Sequence, residues 1–378
     1  MEKRGICLSS TKIKEWIKNG KIIGPSIEEK QIQPNSFEPT INNEVFILDT
    51  ESQGLFRPQK EKSIYKTLLE IPERQRYRVD ITNGFEIKKG FTYLFPTRER
   101  IIMHKKEYIK SSTKSSIGRL FLNCRMLADY NPCFDEINAQ YKSETELNVW
   151  LLVQPLTFNL IVYPGLTFNQ LRFFQGHDSQ LTPSEIMSEF QKNPLLYWRG
   201  NNGTLLPAEP FVTDGLQIHL DLSGNNSKGV IALRARHNPN PINLQKIGEY
   251  EVEHYFEPTF RDDKPLRLLK GEHYLFASKE ILKFPSHLSG EVKAYSHVGL
   301  SGPVHFAGFI DSGFHGDLVF EIRSDEISGM TLEDGMPASK IDVFRNDLPD
   351  KIYGIEIGSH YQGQIGPRPS KFFKLGWG

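Results

Sequence analysis

Cysteine is scarce in this chain. Cys7, Cys124 and Cys133 are the only three in 378 residues, unevenly spaced and without a CxxC pair. That excludes a disulfide scaffold and points to a reducing compartment, so a cytoplasmic location is expected. Net charge is also lacking: Lys+Arg and Asp+Glu number 46 each. No global field recruits nucleic acid or an acidic membrane, so neither is expected as a partner, and any phosphate binding must be local. No apolar run approaches the ~18 residues of a membrane span. The opening MEKRGICLSS has no apolar core of a signal peptide. The sequence shows no HxH or HExxH spacing, no P-loop and no nucleophilic triad; GLSGP at 299–303 reads as a turn. Helical periodicity is rare too. What is abundant is Phe (25), Gly (30) and Pro (23), which suits a β-rich protein with many turns. The length suits about two domains.

In chain order, STKIKEWIKNG (10–20) predicts a helix with Ile13, Trp16 and Ile17 on one face and Asn19-Gly20 as its stop. IQPNSFEPTINNEVFIL reads as two strands broken at Asn42-Asn43. SIYKTLLEI (63–71) reads as a short helix ended by Pro72. Short alternating runs fill 77–109. GHDSQLTPSEIMSEFQKN (176–193) reads as the inter-domain region, with a capping box from Thr182 and Glu185 and Pro183 in the first turn. YWRGNNGTLLP reads as a loop, and GLQIHLDLSGNNSKGVIALRAR as a hairpin. The sequons at Asn202 and Asn225-Asn226-Ser227 read as turns.

Two stretches carry chemistry. In Gly299–Glu326, HFAGFI and DLVFEI read as strands around the turn Asp311-Ser312-Gly313. Glu321 stands between Phe320 and Ile322. A carboxylate there either faces solvent, which the pattern alone favours, or is buried with a raised pKa useful for acid–base work. Earlier, Lys114-Ser115-Ser116-Ile117-Gly118-Arg119 places two hydroxyls between cations on a short turn, with Lys105, Lys106 and Lys110 upstream. It reads either as a phosphate cradle or as a solvated serine loop.

The chain also repeats itself. SFEPTI (36–41) matches YFEPTF (255–260), GFTYLFPTRERI (90–101) matches GEHYLFASKEIL (271–282), and YPGLTFNQLRFF (163–174) more loosely matches EDGMPASKIDVF (333–344). Three matches in one order predict a duplicated domain.

KSSIGR, PGLTFNQLRF, the IDSGF…FEI hairpin with LEDG, and YQGQ jointly resemble the dCTP deaminase and dUTPase family, most of all the tandem-domain dCTP deaminases of bacteria. The resemblance covers residues 5–175 and 250–374. It implies a mainly β fold: two tandem dUTPase-like distorted β-prism (β-clip) domains with a few short helices, at 1–178 and 179–378. It implies phosphate ligands in Lys114, Ser115 and Ser116, and an active-site arginine in Arg119. In the second half it implies a catalytic Glu321 and a deoxyribose-contacting Asp311. Main-chain groups of Ala307 and of Val319 to Glu321 would read the base edge, and Tyr353, His360 and Gln364 belong to a tail that closes over the nucleotide. The family usually has lysine where His360 stands.

Each half departs from the pattern in a complementary way. Counting back from Pro164-Gly165 puts Leu152 at the catalytic position of the first half, with Glu144 and Glu146 too early. The second half has AYSHVGLSG, without arginine, in place of the Ser-Ser-x-x-Arg motif. The resemblance therefore implies a site composed from two domains of a homo-oligomeric, trimer-like assembly. Its expected reaction is deamination of dCTP to dUTP and ammonia, without a metal at the base. Mg2+ would be bound with the triphosphate, with no metal ligand from side chains. Zinc is not expected, because Pro132-Cys133 is followed by FDE and the histidines are scattered. His305 reads as a core or interface residue. A dUTPase, a bifunctional enzyme that carries dUTP on to dUMP, and a non-catalytic nucleotide-binding protein are the alternatives.

Overall fold

The computed structural model describes residues 4–49, 56–200, 203–225, 227–262, 264–294, 307–324 and 330–374. Asn202 and Asn226 of the sequons, the 299–303 turn, His297 and His305 lie outside the described residues. The fold is mainly β, as expected, and forms two compact units. The first comprises Met1–Ser179 with Asn240–Lys246 and Asn346–Lys351. The second comprises Gln180–Pro239, Ile247–Arg345 and Ile352–Gly378.

In the first unit α1 (Ser10–Lys18) buries Ile13 and Trp16 and ends at Gly20, whose φ of +69° suits glycine. The strands used below are β1 (Glu44–Leu48), β2 (Arg76–Asp80), β3 (Thr92–Ile102), β4 (Glu107–Thr113), β5 (Leu122–Ala128), β6 (Glu146–Pro155) and β7 (Asn169–Gln175). They form a sheet in the order β2-β1-β3-β6-β5 and a second ladder between β4 and β7. Helix α2 (Ile64–Leu69) starts at Ser63, whose hydroxyl accepts from the Lys66 N–H at 3.2 Å. Its Ile64 and Leu68 enter one apolar cluster with Phe46, Leu94, Trp150 and Leu152. Helix α3 (Ser115–Gly118) is a single turn.

The second unit opens with α4 (Pro183–Lys192). The expected capping box is present: Glu185 accepts from the Thr182 N–H at 2.9 Å, and the Thr182 hydroxyl accepts from the Glu185 N–H at 3.4 Å. YWRGNNGTLLP is not a plain loop, because β8 (Leu196–Arg199) and β9 (Leu205–Pro207) pair across it. The Asn-Gly tip dominates the composition, while flanking strands of only a few residues carry little alternation. The strands that follow are β10 (Leu216–Asp221), β11 (Val230–Ala235), β12 (Phe256–Phe260), β13 (His273–Lys283), β14 (Leu288–Ala294), β15 (Phe309–Ile310), β16 (His315–Arg323) and β17 (Pro337–Arg345).

Two expected hairpins have the right strands but the wrong partners. Among the described residues β10 and β11 do not pair with each other. Both pair with β13, through Leu220 opposite Ser278 and Leu233 opposite Leu275. Likewise β15 pairs with β14, while β16 pairs with β13. Alternation sets which face of a strand is buried, not which neighbour it joins. An eleven-residue strand such as β13 can take several partners along its length: β8, β10, β11 and β16 all pair with it.

The two units repeat one plan. Leu94 on β3 stands opposite Phe46 and Leu152; Leu275 on β13 stands opposite Leu233 and Glu321. The Tyr93 hydroxyl accepts from the Lys88 N–H at 2.8 Å, and the Tyr274 hydroxyl accepts from the Leu269 N–H at 3.0 Å. Asn169 faces Thr113 as Ser339 faces Ala294. The first pair of matched segments, however, is a coincidence. Phe37 and Thr40 bridge Leu171 and Thr167, while Leu216 and His219 stand opposite Ile341 and Pro337. The Gly165 and Gly335 N–H groups donate to Ile41 and Leu220 oxygens, both at 2.9 Å. The counterpart of SFEPTI is therefore GLQIHL (215–220). YFEPTF forms β12, which pairs with β11 as β2 pairs with β1.

Candidate active site

Glu321 lies on β16 with 1% of its surface exposed, so the solvent-face reading is wrong. Its neighbours Phe320 and Ile322 are buried as well, because both faces of β16 are covered. The Ala307 N–H points to Glu321 Oε2 at 3.4 Å. Val319, on the same face two residues earlier, is half-buried. Asp311 is buried at the start of the turn into β16, and Gly313 in that turn has φ +85°. The Ser312 hydroxyl anchors the turn on the Leu288 oxygen at 3.0 Å.

The C-terminal residues come back to this turn. The Tyr353 N–H donates to the Ser312 oxygen at 2.8 Å, and its ring meets Phe314 edge-on at 5.5 Å. Gln364 is buried along β16 and forms a parallel bridge with Gly316. The second unit thus gathers Ala307, Asp311, Val319, Glu321, Tyr353 and Gln364. His360 is exposed, beside the Tyr361 ring.

The KSSIGR residues are grouped on the first unit. Lys114 precedes α3, Ser115 is half-buried, and Ser116 and Arg119 are buried, Arg119 to 3% exposure. Lys114 is already engaged. Its ammonium pairs with the buried Glu38 carboxylate and donates to the Thr167 hydroxyl at 2.6 Å. Glu38 also accepts from Thr167 at 3.2 Å and from Gln170 at 3.3 Å. This pair was not read from the sequence, because Glu38 lies 76 residues from Lys114, between the isolated bridges of Phe37 and Thr40.

Leu152 of the first unit stands in the register that Glu321 occupies in the second. Counting from the turn and the register agree on this residue. The cluster around Leu152 has no place for a charge: Phe46, Leu94, Trp150 and α2 fill it.

Sequence reading also missed Asp317. This carboxyl is buried on β16, and burial pushes its pKa up to about 6, with Asp221 adding to the rise. The Gly366 N–H at 2.8 Å and Arg199 at 3.3 Å pull the other way.

Two family models match the chain: the N-terminal domain of 2'-deoxycytidine 5'-triphosphate deaminase over residues 3–177, and its C-terminal domain over 196–373. The chain belongs to the dCTP deaminase family. A protein from Corynebacterium efficiens named "dCTP deaminase, dUMP-forming" is 38% identical over 114 residues, 29% of this chain and 59% of that protein. A protein of the same name from Mycobacterium avium is 34% identical over 128 residues, 33% of this chain and 66% of that protein. The chain thus spans roughly three fifths to two thirds of these relatives' length. The crystal structure of 2'-deoxycytidine 5'-triphosphate deaminase from Agrobacterium tumefaciens has the same fold. Its TM-score is 0.82 at 24% identity, covering 92% of this chain and all of that one. In this dCTP deaminase-family chain, no helix among the described residues is long and apolar enough to cross a membrane.

Proposed function

We propose that the chain deaminates dCTP by hydrolysis, with Glu321 as general base and acid. Burial of Glu321, at a register where the other copy of the fold has leucine, carries this reading. A buried carboxylate is costly to keep, and proton transfer is a use for it. Water loses a proton to Glu321 as its oxygen bonds to C4 of cytosine, and Glu321 passes that proton to N3. Glu321 then takes the remaining proton from the new C4 hydroxyl and gives it to the amino group, so the C4–N bond breaks, ammonia leaves and C4=O forms. The products are dUTP and ammonia.

Main-chain groups of Ala307 and of Val319 to Glu321 are assigned to the base edge, and Asp311 to the deoxyribose. Tyr353, Gln364 and the exposed His360 are assigned to the closing arm. Ser115, Ser116 and Lys114 are assigned to the phosphates, and Arg119 to the active site. The required groups are thus divided between the two units, and both sets are needed. Mg2+ is assigned to the triphosphate oxygens. Glu38, the carboxylate that meets the KSSIGR turn, already accepts from Lys114, Thr167 and Gln170, so it does not suit direct metal ligation.

A second product is supported by the relatives named dUMP-forming. In that reading, water cleaves dUTP to dUMP and pyrophosphate after deamination. Purified protein with dCTP and Mg2+ should release ammonia, and Glu321→Gln and Arg119→Ala should each lower that release by about 10²-fold or more. dUMP with pyrophosphate establishes the bifunctional form, and dUTP alone the simple deaminase. Pyrophosphate from dUTP without ammonia from dCTP makes the chain a dUTPase. Binding of nucleotide without either reaction ends the catalytic assignment of Glu321.

A further inference from the structure

We propose that Asp317 is the clasp of the C-terminal arm: together with Arg199 it holds residues 361–366 on the strand that carries Val319 and Glu321, and so positions the arm for the nucleotide. The clasp is a matter of geometry; only its consequence for the nucleotide rests on the function proposed above.

Asp317, Val319 and Glu321 alternate on one face of β16, so the Asp317 carboxylate lies about 13 Å from Glu321 along the strand. The arm runs beside the start of β16. The Gly363 N–H donates to the His315 oxygen at 2.7 Å, and the Asp317 N–H donates to the Gln364 oxygen at 3.1 Å. The Gln364 amide donates to the Asp317 carbonyl. Gln362 accepts from the His315 N–H and donates to the Gly313 oxygen, both at 3.0 Å. Approach is close because Gly316 has no side chain: a Cβ there would stand 3.0 Å from the Gln364 nitrogen.

Backbone pairing of this kind holds any extended segment. The carboxylate adds the charged contact. Asp317 Oδ2 accepts from the Gly366 N–H, and Oδ1 accepts from Arg199 on β8. Asp317 therefore ties β8, β16 and the arm together while only 3% exposed. Removing one member of a buried ion pair is costly, because the other charge stays behind in low dielectric.

The charged neighbours set the pH response. Arg199 from β8 favours the ionised form, and Asp221 from β10 opposes it. Lys283 of β13 and His315 of β16 lie close by, and His315 is held below its ordinary pKa by burial, Lys283 and Arg199. For Asp317 the sum is a rise from 3.8 to about 6. Measured against the unfolded chain, this rise stabilises the fold below about pH 4, and that contribution is lost as pH rises through about 6; the arm's own Gly366 N–H acts in the opposite sense and favours the ionised carboxylate.

The test is hydrogen exchange of the Gly363, Gln364 and Gly366 amides, combined with steady-state kinetics on dCTP. Asp317→Ala should speed exchange at these amides at least about tenfold and leave Phe320 and Ile322 on β16 protected. KM for dCTP should rise about tenfold, with kcat changed less than about threefold. Asp317→Asn, which keeps an acceptor for Gly366, should restore most of the protection. It should also remove the part of the fall in folding stability between pH 5 and 7 that comes from Asp317. Arg199→Gln gives the same kinetic split if Asp317→Ala fails to fold. Unchanged arm exchange in these variants overturns the clasp. A released arm with unchanged KM overturns the positioning role. If the wild-type chain does not deaminate dCTP, the functional reading fails while hydrogen exchange still decides the clasp.

Discussion

Glu321 and Leu152 occupy one register in two copies of one fold, and the proposed chemistry rests on that difference. Glu321→Gln keeps the shape and removes the proton acceptor, so ammonia release should fall by about 10²–10⁴-fold in a coupled assay. Leu152→Glu should not create a second site. It puts a charge among Phe46, Leu94, Trp150 and the α2 residues Ile64 and Leu68, and should cost about 3–5 kcal/mol in urea denaturation with no gain of activity. A Leu152→Glu variant that is as stable as wild type would show that the cluster admits water. Lys114 distinguishes two roles in a similar way. If it only binds phosphate, Lys114→Ala leaves stability unchanged. Its buried pairing with Glu38 instead predicts a loss of about 2–4 kcal/mol, beside weaker nucleotide binding. The residues of both motifs were legible in the sequence. Glu38 and Asp317 were not, because their roles come from partners distant in the chain, Lys114 in one case and Arg199 and Gly366 in the other.

Local elements follow local chemistry. Helix α4 is specified by the Thr182–Glu185 box and Pro183, and α1 by the spacing of Ile13 and Trp16 with Gly20 beyond its end. Thr182→Ala should cost about 1 kcal/mol, read as a lowered urea midpoint with an unchanged slope. Strand existence was also legible: β10, β11, β15 and β16 all fall within the alternating runs. Their partners were not. β13 takes up neighbours that the chain supplies before and after it, and no residue in β10 or β11 announces that choice. The FEPT match shows the same limit. SFEPTI, expected as a strand, forms only isolated bridges at Phe37, Thr40 and Ile41, while YFEPTF forms β12, and only hydrogen-bond register reveals the true counterpart, GLQIHL.

At the scale of the whole chain, duplication has left two scaffolds, and the proposed function assigns them one set of reacting groups. The shared scaffold is explicit in the Tyr93 and Tyr274 hydroxyls, which accept equivalent amides, and in the Gly165 and Gly335 turns. The groups assigned to the reaction are not repeated in the sequence, where AYSHVGLSG replaces the Ser-Ser-x-x-Arg motif. Arg119 and the serines belong to the first unit, and Glu321 with its arm to the second. If each reaction needs both sets, nucleotide binding should saturate at one per chain. Calorimetric titration of Glu321→Gln with dCTP and Mg2+ measures that ratio without turnover. A ratio of one agrees with the apolar filling around Leu152. A ratio of two would mean that the first unit still takes a nucleotide without a carboxylate at its catalytic register, and the division of labour would have to be abandoned. Disrupting either set should then lower the number of sites, or their affinity, for the chain as a whole. A phosphate-motif change such as Ser116→Ala should therefore weaken the same single binding event that Asp311→Ala weakens, and the double variant should leave no second event behind.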